Sequence, residues 1–365
     1  MNVCIIGSGL TSLTLAKNLV NKKINVHIYE KKINKKLSPN RTIGISKVNL
    51  DFFENKIHLL PKKIKWEIKK IEIYSKDLKK NKILNFENNK KILFYMIRND
   101  DLYDFLKKKL LKNKFYKKKQ IENDNFYEKL LKKNNYDLII NCDQNNDISK
   151  KYFIKKIHKD YKNLAFITIL KHQKISNNSA IQIFTELGPI AFLPISNTET
   201  SVVYSIDVKN KKFTDSEIIN LIKTYNFKYK IKKISKLSSF ELKSSNLRSY
   251  YHKNILGFGD LLHRVHPFAG QGFNIILRDI QKLSEIIQKK INLGLQLDSL
   301  VLSEFEKKTK NRNFIFSNGL DFIYEFFSLN KKNYSDKPYK ILKFLGNNKS
   351  FMSSVIKIAD RGLDI

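Results

Sequence analysis

The sequence is poor in several things, and each shortage narrows what the chain can be. Only 2 of its 365 residues are cysteine, Cys4 and Cys142, too few for a disulfide framework or a thiolate metal cluster. A reducing compartment is therefore expected, and no bound metal. No run approaches the ~18 uninterrupted apolar residues of a membrane-spanning helix, which argues against an integral membrane protein. The opening MNVCIIGSGL lacks the basic start of a secretory leader and runs straight into glycines, so no leader is expected. Arginine is scarce: 7 of the 70 basic residues, which leaves 63 lysines. Proteins built to grip phosphate favour arginine for its bidentate fork. The formal charge of +36 therefore does not predict a nucleic-acid partner. Lysine, asparagine and isoleucine all have AT-rich codons, and codon bias explains much of the composition. Attraction to an anionic membrane surface stays open, giving an expected cytoplasmic location, peripheral at the inner face of the membrane.

What is present is enough apolar residue, 42% of the chain, to build a sizeable core. The first 30 residues read as strand, helix, strand: NVCIIG, then Leu13, Ala16, Leu19 and Val20 on one helical stripe, then INVHIYE. Residues 61–91 are lysine-rich with short alternating runs that suggest strands. FYMIR then leads into a helix with Leu102, Phe105, Leu106 and Leu110 on one face, capped by Asp100 or Asp101. Residues 164–208 hold four successive strands divided by turns, an antiparallel pattern. A helix from about Gly272 places Ile276, Ile280, Leu283 and Ile287 at helical spacing, and residues 299–365 read as helical and aromatic-rich. The dense lysine block at 107–119 reads as a solvated helix face.

Gly7-Ser8-Gly9-Leu10-Thr11-Ser12 lies between a strand and a helix, where a dinucleotide fingerprint belongs. Gly7 permits the turn, Gly9 lets backbone approach a pyrophosphate, and the helix start attracts that anion. Glu30 ends the second strand and is placed to accept hydrogen bonds from a ribose; its charge disfavours a 2′-phosphate, so FAD or NAD fits better than NADP. The third glycine of the fingerprint is replaced by Ser12.

A second glycine site runs from Gly257 to Asn274: an apolar strand ends in Gly259-Asp260, and a loop through His266-Pro267 and Gly270-Gln271-Gly272 leads into the helix. This segment resembles the glycine-aspartate, histidine-proline and GQG-x-N motifs of the flavin-dependent aromatic hydroxylases, the para-hydroxybenzoate-hydroxylase-like group. Phe184 through Ile195, with Gly188-Pro189 and Leu193-Pro194, is similar to the corresponding run of the ubiquinone-biosynthesis (2-polyprenylphenol) hydroxylases. SVVYS after it, RTIGIS around Arg41 and the stretch beginning at Arg98 resemble the same family, over most of residues 1–290.

The resemblance implies an α/β fold. A Rossmann-like FAD-binding domain would be assembled from residues 1–60, 92–155 and 250–295. An interleaved antiparallel-sheet substrate domain would take 61–91 and 156–249, and a helical C-terminal region 296–365. It implies non-covalent FAD with its pyrophosphate at Gly7, Gly9 and Leu10 and a ribose at Glu30. Arg41 and Arg98 would stand beside the cofactor, with surface charge as the alternative reading of each. Asp260 would meet the ribityl–phosphate region, while Pro267, Gly270, Gln271, Gly272 and Asn274 line the isoalloxazine. The reacting centre is expected at Pro267, Gly270, Gln271 and Gly272, with no side-chain base assigned.

The implied reaction is ring hydroxylation of a polyprenyl phenol or quinol by molecular oxygen through a C4a-hydroperoxyflavin, in ubiquinone biosynthesis, within a quinone-biosynthesis complex. The electron donor, NAD(P)H or a redox protein, is undecided. Residues 314–327 would line an apolar corridor or lie at the bilayer. Where the family carries Asp-Gly after its third flavin-domain strand, this chain has Asp143-Gln144, which bears on NAD(P)H reduction more than on FAD. His263 and His266 show no Asp or Ser partner for a nucleophilic triad and no metal-ligand cluster. Two alternatives stand beside this reading. One is another flavoprotein oxidoreductase, either a soluble-aromatic hydroxylase or a lipid reductase; the other is a non-catalytic basic module of a biosynthetic complex.

Overall fold

Val3, Cys4, Ile5 and Ile6 are wholly buried, the mark of a strand covered on both faces. In the computed structural model this strand, Asn2–Ile6, lies inside a six-stranded sheet. The structure describes residues 1–31, 40–75, 82–87, 91–121, 125–133, 135–208, 211, 213–265, 270–333 and 348–362. Asn2–Ile6 pairs in parallel with Asn25–Glu30 and with Leu138–Asn141. Tyr116–Gln120 and Ile255–Gly257 extend the parallel run on either side, and Tyr251–His252 closes it antiparallel. The helix Leu10–Val20 is buried from Ser12 to Val20, because the helices Asn99–Leu111 and Gly272–Asn292 also pack on it.

Local differences from the sequence pattern have simple causes. Asn99–Leu111 buries Leu102, Leu106 and Leu110, while Phe105 is only partly covered and stacks on His58 at 5.4 Å. Asp100 and Asp101 occupy the first turn of this helix instead of its cap, since the strand Phe94–Arg98 runs directly into it and leaves Arg98 at the capping position. Carboxylates in a first turn still oppose the positive end of the helix dipole.

The second sheet has nine strands. Its antiparallel spine runs Ser238–Leu247, Lys156–His172, Glu199–Asp207, Pro189–Pro194, Ser179–Phe184. Lys70–Tyr74 joins parallel to the last of these and carries Lys82–Glu87, so the lysine-rich segment supplies one edge. Gly188, at φ +144°, turns against this sheet; a Cβ there would stand 2.1 Å from the Ser205 carbonyl oxygen, so no side chain fits. Thr42–Ser46, Phe94–Arg98 and Trp66–Ile68 form a third, three-stranded antiparallel sheet.

Among the described residues two apolar cores dominate. The larger draws on residues 3–60, 95–153 and 247–305, the smaller on 166–237. Val301, Leu302 and Phe305 of the long helix Ser299–Asn333 are buried in the larger core, so the C-terminal helical segment begins inside it. A last helix, Lys349–Arg361, follows. Among the described residues no helix is long and apolar enough to cross a membrane.

Candidate functional site

The two glycine loops meet. Gly7 leaves the first strand and donates its N–H to the Tyr29 carbonyl at 2.8 Å. Gly9 takes the capping position of Leu10–Val20 without a side-chain cap, and the first turn holds no acid. The first intrahelical bond runs from the Leu13 N–H to the Gly9 carbonyl at 3.1 Å, so the N–H groups of Leu10, Thr11 and Ser12 point out of the helix end. Against this turn lies Gly259, at φ +65°; a Cβ there would come within 2.8 Å of Thr11 Cγ2. The second loop needs glycine because the first loop occupies that space.

Asp260 follows, exposed, with no hydrogen-bond partner for its carboxylate among the described residues. Gln144, the departure from the family pattern, donates its Nε2 to the Asp260 carbonyl at 2.5 Å and so ties the end of the third strand to this turn. Ser12, replacing the third glycine, is buried at the cavity wall near Cys142, whose thiol is pushed up to about 12 by burial.

Gly9, Leu10, Asp260, Gly270, Gln271, Gly272 and Asn274 all border one cavity of about 1490 Å³. Pro267 and His266 lie outside the described residues. Gln271 is 7% exposed, and among the described residues its Oε1 has no hydrogen-bond partner. A Cβ on Gly9 or Gly272 would meet nothing within 4 Å. Asn274 is spent on the protein itself. Its Oδ1 accepts from the Ser46 N–H at 2.9 Å and the Asn49 amide at 3.2 Å, and its Nδ2 donates to the Gly44 and Gly270 carbonyls at 3.0 and 3.4 Å. Its amide holds the glycine turn to the Thr42–Ser46 strand and has no capacity left to grip a ring.

The charged residues divide. Arg41 borders the cavity, its guanidinium without a polar partner among the described residues. Arg98 donates to the Glu199 carboxylate at 2.6 Å and is not among the cavity-lining residues. Glu30, at the end of its strand, pairs with Lys118 of the neighbouring strand and also lies off the cavity wall. Among the described residues six cationic side chains line the cavity against two carboxylates; Lys47, Lys69 and Lys243 are paired with Asp51, Glu67 and Glu241, so Arg41, Lys91 and Arg264 supply the unpaired positive charge toward an anionic dinucleotide.

His263 corrects an expectation. It does have an acidic partner: its Nε2 faces Asp279 in a fully buried pair, and Asn313 donates to the other Asp279 oxygen at 2.9 Å. Asp279 lies 16 residues on, around the second glycine loop and along a helix, so no local motif announces it. The trio pins the short strand His263–Arg264 to both long helices.

The far wall of the cavity is the second sheet and two helices: Ile71, Ile181 and Leu193 from strands, Phe316 and Leu320 from Ser299–Asn333, and Val355 and Ile358 from the last helix. Outward on the same long helix, Phe314, Ile315 and Phe322 are exposed.

Residues 153–294 match the family described as FAD binding domain. That match covers less than half of the chain. Its fold is shared with p-nitrophenol 4-monooxygenase PnpA of Pseudomonas putida, which superposes over 100% of this chain and 98% of its own, at TM-score 0.76 and 12% identity. HpxO of Klebsiella pneumoniae, solved with FAD and uric acid, does so over 99% and 96% at TM-score 0.72 and 10% identity.

By sequence the chain is similar to the ubiquinone biosynthesis monooxygenase COQ6 of Dictyostelium discoideum, 25% identical over 53% of this chain and 49% of the relative. It is also similar to 3-demethoxyubiquinol 3-hydroxylase of Escherichia coli, 27% identical over 49% and 46%. The aligned part thus spans about half the length of these relatives. The first glycine loop lies outside the FAD family match, so its assignment rests on geometry. The residues present fit FAD: an open helix start, open space beside Gly9 and Gly272 and, among the described residues, an unpaired Arg41 and the buried Gln271 carbonyl without a partner.

Proposed function

We propose that the chain is an FAD-dependent monooxygenase that hydroxylates the ring of a polyprenyl phenol or quinol in ubiquinone biosynthesis. The observation that carries this reading is one continuous cavity. It begins at two glycine loops and ends on an apolar sheet face, and at about 1490 Å³ it exceeds the ~300–1,000 Å³ of an ordinary small-ligand pocket. A dinucleotide and an apolar substrate fit together where either alone would leave space.

In this reading residues 1–60, 92–155 and 250–295 form the flavin domain and 61–91 with 156–249 the substrate domain. The open N–H groups after Gly9 hold the pyrophosphate, with Gly7 shaping the turn. Glu30 is set for a ribose once Lys118 yields, and Asp260 for the ribityl hydroxyls. Arg41 neutralises phosphate charge; Arg98 acts at one remove, by fixing the strand next to it. Gly270, Gln271 and Gly272, with Pro267, face the ring system, and Asn274 holds their turn in place. Bound FAD supplies the oxygen-activating redox chemistry. The protein's part is position and dryness: Ile71, Leu193 and Phe316 exclude water from the reacting ring.

The substrate would arrive from a membrane. Phe314, Ile315 and Phe322 face outward on the helix whose Phe316 and Leu320 line the cavity, one helix thickness from the site. Together with the +36 charge this supports peripheral attachment to an anionic bilayer. The test is a reconstitution of FAD-loaded protein with a reductant, air and a short-chain polyprenyl phenol. A hydroxylated product is expected. A flavoprotein that turns over soluble phenols and ignores prenylated ones would assign it to another hydroxylase class.

A further inference from the structure

The last helix is remote in sequence from both glycine loops, yet it reaches the same cavity. Val355, Ile356, Ile358 and Ala359 line it, and Ile358 packs on the cluster of Ile275, Phe316 and Leu320. The next residue, Asp360, makes the polar attachment. Its Oδ1 accepts the Val48 N–H at 3.0 Å, while its backbone carbonyl accepts from the Ser46 hydroxyl at 3.0 Å and the Asn49 amide at 3.3 Å. The helix Lys47–Lys56 receives no side-chain cap from its own capping residue, Ser46. Asp360 supplies that cap from 312 residues away, where an aspartate also opposes the positive end of the dipole.

The landing site matters. Ser46 and Asn49 also bond to Asn274 Oδ1, and Asn274 holds the Gly270 carbonyl of the turn read as facing the flavin ring. We propose that Lys349–Arg361 is the closing wall of the cavity and that Asp360 is the positioning residue that keeps it closed. This rests on the flavin reading of the cavity. Among the described residues one small apolar cluster and a few hydrogen bonds hold the helix, so its docking is treated as a local equilibrium that a single substitution shifts. Losing a bond to a charged acceptor moves such an equilibrium by about 10-fold or more.

The experiment measures how far iodide reaches bound flavin in the FAD-loaded full-length protein, by fluorescence quenching. Asp360→Ala should raise the quenching constant at least ~5-fold, following that equilibrium shift. Asp360→Asn keeps an acceptor for the Val48 N–H and should stay near the parent value. Ile358→Ser loosens the same helix through its apolar contact, and it carries the test if Asp360→Ala fails to fold. Quenching unchanged from parent in both opening variants overturns the proposal while leaving the flavin reading intact. A parent that binds no flavin under any condition defeats the flavin reading itself, and this proposal with it.

Discussion

Gln271→Leu should have effects of opposite sign on the empty and the loaded protein. The Gln271 side chain sits at 7% exposure, its carbonyl oxygen without a partner among the described residues. An unsatisfied buried acceptor costs about 1–3 kcal/mol. The residue occupies the capping position of Gly272–Asn292 without giving a side-chain cap, so leucine forfeits no cap energy. Leucine has similar volume and no polar atom, so the apo protein should unfold at equal or higher denaturant, with a gain of up to ~1 kcal/mol. FAD binding should weaken instead. If a donor on the cofactor satisfies Oε1, its loss costs about 1–2 kcal/mol, roughly 5–30-fold in affinity. Urea unfolding of apo protein gives the first quantity and flavin fluorescence titration the second. Apo stability lowered with FAD affinity unchanged would refute the reasoning, because Gln271 would then be a structural residue and not a cofactor contact.

Asp260→Ala should leave the chain folded, since the carboxylate is exposed, and weaken FAD retention about 10–150-fold, the worth of a charge-assisted hydrogen bond; equilibrium dialysis of flavin against apo protein reads it. Gly259→Ala should destabilise by about 2–4 kcal/mol, from a left-handed backbone on an L-residue plus overlap with Thr11 Cγ2. Adding Thr11→Ser removes that methyl and should restore the steric share only, a double-mutant cycle readable by denaturant unfolding. Binding to anionic liposomes should fall between low and high salt, because lysine attraction acts within a Debye length of about 8–10 Å. Equal flotation with neutral liposomes would shift the attachment to Phe314, Ile315 and Phe322.

Much of the local architecture can be read from periodicity and turn chemistry. Val3–Ile6, the helix after Gly9 and the Ile276–Ile287 stripe are set by neighbours in sequence, and each lies where its pattern puts it. The glycines at 7, 9 and 259 announce loops for the same reason. What was not legible depends on sheets coming together. Arg98 reads as a cofactor residue until Glu199, 101 residues later, is seen holding it. Asn274 looks like a ring contact until Ser46 and Gly44 are brought alongside. His263 seems unpartnered because Asp279 lies along the following helix. Asp360 carries no motif at all; only the docking of the last helix beside Val48 gives it meaning.

The central claim is that this cavity uses FAD to place one atom of molecular oxygen on a prenylated phenol ring. The most direct measurement is a single turnover of FAD-loaded protein, chemically reduced without oxygen and then mixed with ¹⁸O₂ and a short-chain polyprenyl phenol, with the product read by mass spectrometry. The account predicts a hydroxylated ring carrying one ¹⁸O atom. Flavin that reoxidises while the phenol is recovered unchanged, or a hydroxyl labelled from water, would contradict it.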